Sequence, residues 1–212
     1  MIRAIVVEDS PLAQKYLYSL LNAEPRFFVA GVYEDAFAAE GACGGGGIDL
    51  VLMDVRTRRN HSGLAAGERI RKKPGAPKVL IVTSLIDPDI LARARAGAAD
   101  SLWYKDHGSA ELMDVIDRTL AGERVFPDAA PSVELKDMVS GDISPRQLAI
   151  LRRFVQGMTY DEIAAELKLT ERGVRWNMKE VIEKGGFENR HELLTALLQN
   201  KLIVTTLLET ED

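Results

Sequence analysis

A chain of 212 residues that is 46% hydrophobic and 28% charged has the composition of a globular, water-soluble protein, and it is long enough to bury two modest cores. Its single cysteine, Cys43, excludes an internal disulfide, and no Cys/His cluster has zinc-site spacing, so a reducing cytoplasm is the expected setting, with no export signal and no membrane span. The net charge of −5 is uneven in origin: residues 1–125 carry 16 Lys/Arg against 17 Asp/Glu, and residues 140–203 carry 10 against 9. A nucleic-acid site in the second half must therefore rest on a local basic face, because no strong positive field surrounds it.

Apolar runs rich in Val, Ile and Leu at 2–7, 28–32, 48–53, 79–82 and 101–104 predict five strands. Helical patterns at 11–23, 36–42, 64–72, 88–96 and 109–121 fall between or after them. Such alternation predicts an α/β fold, a flavodoxin-like doubly wound five-stranded parallel sheet of order 2-1-3-4-5. The run 44–47 is all glycine but precedes a strand, whereas a phosphate cradle follows one, so it reads as a helix-to-strand turn. Residues 123–142 contain Pro127, Pro131 and Gly141 with little periodicity and read as an interdomain linker. Beyond it, residues 143–206 are helical in pattern, with stops at Gly157, 168–170 and 185–186, and predict a second, smaller all-α domain. The first domain is then 1–122.

The predicted strands deliver Glu8 and Asp9, Asp54, Thr83 and Lys105 to one carboxyl edge of the sheet, where open α/β sheets bind ligands. Singly, each has a structural explanation: Asp54 could cap the next segment, Thr83 is an ordinary strand residue, and Lys105 could be a solvated strand end. Four strands converging with a carboxylate cluster, a hydroxyl and an ammonium is harder to explain that way. Crowded carboxylates need a neutralising cation, and oxygen ligands with room for water and a phosphoryl group favour Mg²⁺. Asp54 could then attack phosphorus to form an acyl phosphate, with Thr83 and Lys105 binding phosphoryl oxygens.

The segments Val6-Val7-Glu8-Asp9-Ser10, Leu50-Val51-Leu52-Met53-Asp54-Val55-Arg56, Ile81-Val82-Thr83-Ser84 and Trp103-Tyr104-Lys105-Asp106 resemble the receiver domain of two-component response regulators. The resemblance implies that Asp54 is the phosphoacceptor served by a sensor histidine kinase. It also implies that Glu8, Asp9 and Asp54 hold Mg²⁺, and that the backbone carbonyl of Arg56 is a further ligand. Two departures stand out. The segment 57–63 lacks the family's proline and is one residue longer, and Leu102 occupies the position of the aromatic that often reports phosphorylation. Trp103 and Tyr104 read as strand or surface residues.

From Ile143 the segments Ser144-Pro145-Arg146-Gln147, Gly157-Met158-Thr159-Tyr160-Asp161-Glu162-Ile163-Ala164, Leu169-Thr170-Glu171-Arg172-Gly173-Val174-Arg175 and Asn189-Arg190-His191-Glu192-Leu193 resemble the LuxR-type helix-turn-helix of the NarL/FixJ family. Thr159 with Glu162 predicts a capping box, and Thr170 caps the next helix. On that helix Val174, Met178, Val181 and Ile182 form an apolar stripe. Arg172, Arg175, Trp176 and Lys179 lie opposite, and the family's base-reading positions fall on Arg175, Trp176 and Lys179. Glu180 and Glu183 leave a solvated, salt-bridged face as the plainer explanation, but an exposed Trp176 argues for a contact surface. Asn177 stands where the family often has histidine, and Gly173 and Gly185 are expected to weaken the helix by roughly 1 kcal/mol each relative to alanine.

The expected function is phosphorylation-controlled DNA binding at promoters, through two-fold half-sites and a homodimer, by a protein that is not an enzyme. A receiver that acts without phosphorylation as a protein-interaction module beside a DNA-binding domain is the alternative. An aspartyl-phosphate phosphatase of the haloacid dehalogenase kind would place its nucleophile on the first strand with an acid two residues later. Here the aspartate is on the third strand and Arg56 follows.

Overall fold

The computed structural model describes residues 1–106 and 111–203, which fall into two compact units that divide between Ala130 and Pro131. In the first unit five strands, β1 (Ile2–Val7), β2 (Phe27–Tyr33), β3 (Leu50–Met53), β4 (Lys78–Thr83) and β5 (Ser101–Tyr104), pair in parallel in the order β2-β1-β3-β4-β5. This is the order expected from the sequence. The three central strands are buried along almost their whole length, as a sheet covered on both faces requires. Ala4, Val6, Leu50, Leu52, Leu80 and Val82 point to one face, where they pack with Leu17 and Leu21 of α1 (Pro11–Asn22) and with Leu112, Val115 and Ile116 of α5 (Leu112–Leu120).

Between these lie α2 (Ala36–Gly44), α3 (Gly63–Arg71) and α4 (Pro88–Arg93), the last continued by a π-type turn, Ala94–Ala98. The glycine run after α2 is a turn into β3, with Gly46 and Gly47 at positive φ. The predicted start of the last receiver helix, 109–110, lies outside the described residues, as do 204–206 of the predicted second domain. Trp103 is half-buried beside the core, whereas Tyr104 is a buried strand residue rather than a surface one.

The second unit contains α6 (Pro145–Val155), α7 (Tyr160–Leu167), α8 (Glu171–Lys184) and α9 (Arg190–Gln199). The stretch read as the interdomain linker carries structure at both of its ends. Its beginning lies along β5, where Leu102 N–H donates to the Val125 carbonyl at 2.9 Å and Val125 N–H donates to Ser101 Oγ at 3.0 Å. Its end forms a hairpin of β6 (Glu134–Leu135) and β7 (Met138–Val139), which belongs to the second unit. Each strand has two residues, too few to show an alternating pattern, and the hairpin is held by long-range packing of buried Leu135 and Met138.

Gly185 illustrates the same point. It lies just past α8 rather than within it, and a Cβ there would approach Phe187 to 2.4 Å and the Met138 sulfur to 2.8 Å. It is required by packing, so its expected cost to the helix is not incurred. Among the described residues no helix is long and apolar enough to cross a membrane.

Candidate functional site

Two sites take shape, one in each unit. At the carboxyl edge of the sheet, β1 runs into Glu8 and Asp9 and β3 into Asp54, and ligand atoms of the three carboxylates lie within 4.8 Å of one another. Register is the cause: Asp54 N–H donates to the Val7 carbonyl at 2.9 Å, which brings the ends of two strands level. Lys105, just after β5, is placed by its own N–H, which donates to the Thr83 carbonyl at 2.8 Å. Its Nζ pairs with Glu8 and lies 3.3 Å from Asp54 Oδ1. Glu8 is also held from behind, since Ser10 N–H donates to its Oε1 at 3.0 Å.

Electrostatics set what this cluster can do. Asp54 is only 9% exposed, and burial, partly offset by Lys105 and reinforced by Glu8, pushes its carboxyl up to about 6. Burial works to lower the Lys105 ammonium, but Asp54 and Glu8 outweigh it and hold the group above its usual value. One ammonium thus pairs with two of the three clustered carboxylates. A hard divalent cation with oxygen ligands fits such a donor set, and receiver domains bind Mg²⁺ at an acidic pocket of this kind.

Thr83 stands at the end of β4 and is fully buried; its hydroxyl accepts the Leu85 N–H at 3.2 Å. No hydrogen bond joins it to Asp54 among the described residues. Arg56 is exposed and forms an isolated antiparallel bridge with Ser62. Beside Thr83 in register is Tyr104, whose hydroxyl is buried without a hydrogen-bond partner among the described residues. Leu102, in the position where the family often carries an aromatic, is a buried core residue.

The proline-free segment after Asp54 is fixed by other means. Thr57 is buried, accepts the Ala36 N–H at 3.0 Å and donates to the His61 carbonyl at 2.8 Å. Arg58 N–H donates to the Glu34 carbonyl at 2.8 Å, and His61 Nδ1 lies 2.8 Å from Asp35 Oδ1. Arg59 and Asn60 take positive φ, which closes the turn. Sequence reasoning missed the role of Gly63: a Cβ there would sit 1.9 Å from the Asp54 carbonyl oxygen, so only glycine lets α3 start against the acceptor strand. Its signal was a glycine following a helix-capping serine.

In the second unit both expected caps are present. Thr159 Oγ1 accepts the Glu162 N–H while Glu162 accepts the Thr159 N–H at 2.7 Å, and Thr170 Oγ1 accepts the Gly173 N–H at 3.0 Å. Lys168 takes the left-handed conformation that turns α7 into α8. On α8, Val174, Met178 and Val181 are buried and Ile182 is half-buried, which leaves Arg172, Arg175, Trp176 and Lys179 on the exposed face. Trp176 is 60% exposed. Asn177, in the family's frequent histidine position, faces inward and donates to the Gly173 carbonyl at 2.8 Å.

Comparison with known proteins finds a family for each unit. The response regulator receiver domain family matches residues 4–117, and the bacterial regulatory proteins of the luxR family match residues 142–197. An uncharacterized transcriptional regulatory protein of Bacillus subtilis, YvfU, is 31% identical over 91% of this chain and 94% of its own length. The nitrate/nitrite response regulator protein NarP of Escherichia coli is 24% identical over 94% and 95%. Among solved structures, RcsB of Salmonella enterica serovar Typhimurium bound to promoter rprA shares the fold with a TM-score of 0.60 at 20% identity, covering 93% of this chain and 98% of that one. The matches span both units, and the family is one of transcription regulators rather than enzymes: the chain belongs to the response regulators that join a receiver domain to a luxR-type helix-turn-helix domain.

Proposed function

We propose that Asp54 accepts a phosphoryl group from a sensor histidine kinase and that this controls promoter binding by α8. The observation that supports this most is the convergence of Glu8, Asp9 and Asp54 around one point, with Lys105 salt-bridged to two of them. An Asp54 carboxylate oxygen attacks phosphorus, the bond from phosphorus to the kinase imidazole nitrogen breaks, and that nitrogen regains a proton. Glu8, Asp9, Asp54 and the Arg56 carbonyl would hold Mg²⁺, which when bound would supply positive charge to the phosphoryl oxygens. Lys105, paired with Glu8 and Asp54, supplies more, and Thr83 releases the Leu85 N–H to bind a phosphoryl oxygen.

The receiver function is assigned to residues 1–122 and the DNA-binding function to 143–206, with the hairpin accompanying the latter. In that domain Arg172, Arg175, Trp176 and Lys179 meet the DNA, and a homodimer on two-fold half-sites supplies the affinity that a nearly neutral domain lacks. The chain works in the cytoplasm. Arg95 bears on coupling: its guanidinium donates to the carbonyls of Pro127 and Asp128, so the start of the interdomain stretch is anchored beside β5, the strand that follows the phosphate-sensing edge. A phosphorylation-dependent shift of that edge reaches the stretch through this anchor.

The test loads the full-length protein with a small phosphodonor and Mg²⁺. The wild type is expected to gain one acid-stable, base-labile phosphoryl group, to become dimeric and to bind promoter DNA more tightly, while Asp54→Asn gains none. Equal labelling of the substituted protein overturns the acceptor assignment. Equal DNA affinity and equal mass with and without the phosphoryl group overturn the control.

A further inference from the structure

The cations on the exposed face of α8 are not held alike. Lys179 pairs with Glu183 at 3.4 Å, one turn away. Arg175 is constrained from two directions. Its Nε donates to Glu171 Oε1 at 2.5 Å and its Nη2 pairs with the same carboxylate, while the guanidinium carbon lies over the Tyr160 ring, with Cζ 4.1 Å from the ring centroid. Tyr160 in turn meets Phe154 edge-on, centroids 4.8 Å apart at 71°, and Phe154 is buried. A stack therefore runs from the domain core to the guanidinium. Both supports sit at helix starts: Tyr160 follows the capping residue Thr159 as the first residue of α7, and Glu171 is the first residue of α8 after its cap Thr170.

We infer that Tyr160 and Glu171 are positioning residues that set Arg175 to read a guanine in the major groove. The inference rests on the reading of α8 as the recognition helix. A guanidinium carries its five N–H donors on three edges. With the Nε–Nη2 edge engaged by Glu171, the Nη1–Nη2 edge remains, and its parallel donors match O6 and N7 of guanine. Adenine offers a donor where guanine offers O6, so a fixed arginine edge rejects it. An exposed ion pair alone would not fix the group, because it is weak and screened. The aromatic face adds the missing constraint: the carboxylate sets the direction of the side chain and the ring sets its plane. Arg175 thus loses little rotamer freedom on binding and is kept from swinging to a phosphate. It remains accessible, with 59% of its side chain exposed.

The experiment selects DNA half-sites from a randomised library with the full-length phosphorylated protein and its variants, then measures affinities for the selected site and for its guanine-to-adenine change at two salt concentrations. The wild type is expected to select guanine at one position, and Arg175→Ala to lose that preference. Tyr160→Leu and Glu171→Gln are expected to reduce the guanine-over-adenine ratio about 2- to 5-fold there, and Tyr160→Phe to retain it. Glu171→Gln, by removing a negative charge, should bind all sequences more tightly even as its discrimination falls, a split that a merely structural role does not produce. If Tyr160→Leu and Glu171→Gln both keep wild-type discrimination while Arg175→Ala loses it, the positioning inference is wrong. If the wild type shows no guanine preference, or Arg175→Ala keeps it, the recognition-helix reading fails and takes the inference with it.

Discussion

The two sites place charge in opposite circumstances. At the sheet edge, Glu8, Asp54 and Lys105 come from segments up to 97 residues apart; Glu8 and Asp54 are buried and Lys105 is partly buried. On α8, Arg175 with Glu171 and Lys179 with Glu183 are four residues apart and exposed. Buried charges interact strongly, and each depends on its partners, because an orphaned charge cannot recover its hydration. Exposed i, i+4 pairs are weak and screened by salt, and they leave the outward donors of each cation accessible to DNA. The receiver site is therefore a place where single substitutions have large effects on state and stability, and the recognition face one where they change affinity by degrees.

The sharpest way to break that contrast is Lys105→Ala. Removing the ammonium leaves Glu8 and Asp54 facing each other with no cation among the described side chains that contact them. Without divalent ion the variant is expected to lose about 3 kcal/mol of stability, and Mg²⁺ should restore part of it. Denaturant unfolding with and without Mg²⁺ measures both numbers. A variant as stable as wild type in EDTA would show that the cluster is better hydrated than its burial implies.

Asp54→Asn tests the same site with the opposite sign. The folded-state carboxyl is raised to about 6 from a usual value near 3.8, so the folded protein binds a proton more tightly than the unfolded chain. Its contribution is fully present below about pH 4 and is lost as pH rises through about 6. At pH 7.5 in EDTA, Asp54→Asn should therefore be more stable than wild type by about 1–3 kcal/mol, and the advantage should vanish below about pH 4. Unfolding midpoints of both proteins across pH 4 to 8 check it, and a pH-independent difference would refute the electrostatic cause.

On α8 the expected effects are smaller and depend on salt. Arg175→Ala and Lys179→Ala should each weaken binding to a selected site by about 1–3 kcal/mol if the side chain is bidentate to a base. Neither should change the unfolding midpoint appreciably, since both side chains are more than half exposed. A salt titration separates the roles: a base-reading residue changes sequence preference, whereas a phosphate-binding one lowers the salt slope. A large loss of stability in either variant would place that residue in the core and dissolve the contrast.

The order of elements, the parallel sheet, both helix caps and the apolar stripe of α8 followed from local pattern, because hydrophobic periodicity and capping depend on residues within a turn or two of one another. The convergence of Glu8, Asp9, Asp54 and Lys105 was also legible, since strand ends in a doubly wound sheet share one edge. The tertiary structure alone decided the rest. That Thr57, Arg58 and His61 would tie the loop after Asp54 to Glu34, Asp35 and Ala36 depends on contacts more than twenty residues apart. The same holds for the hairpin beside Gly185, whose four strand residues carry no periodic signal, and for the stack from Phe154 through Tyr160 to Arg175, which joins three helices. Local pattern assigns a residue to an element and a face. Which distant side chain meets it there is settled by packing, through distances of a few ångströms that no spacing in the chain encodes.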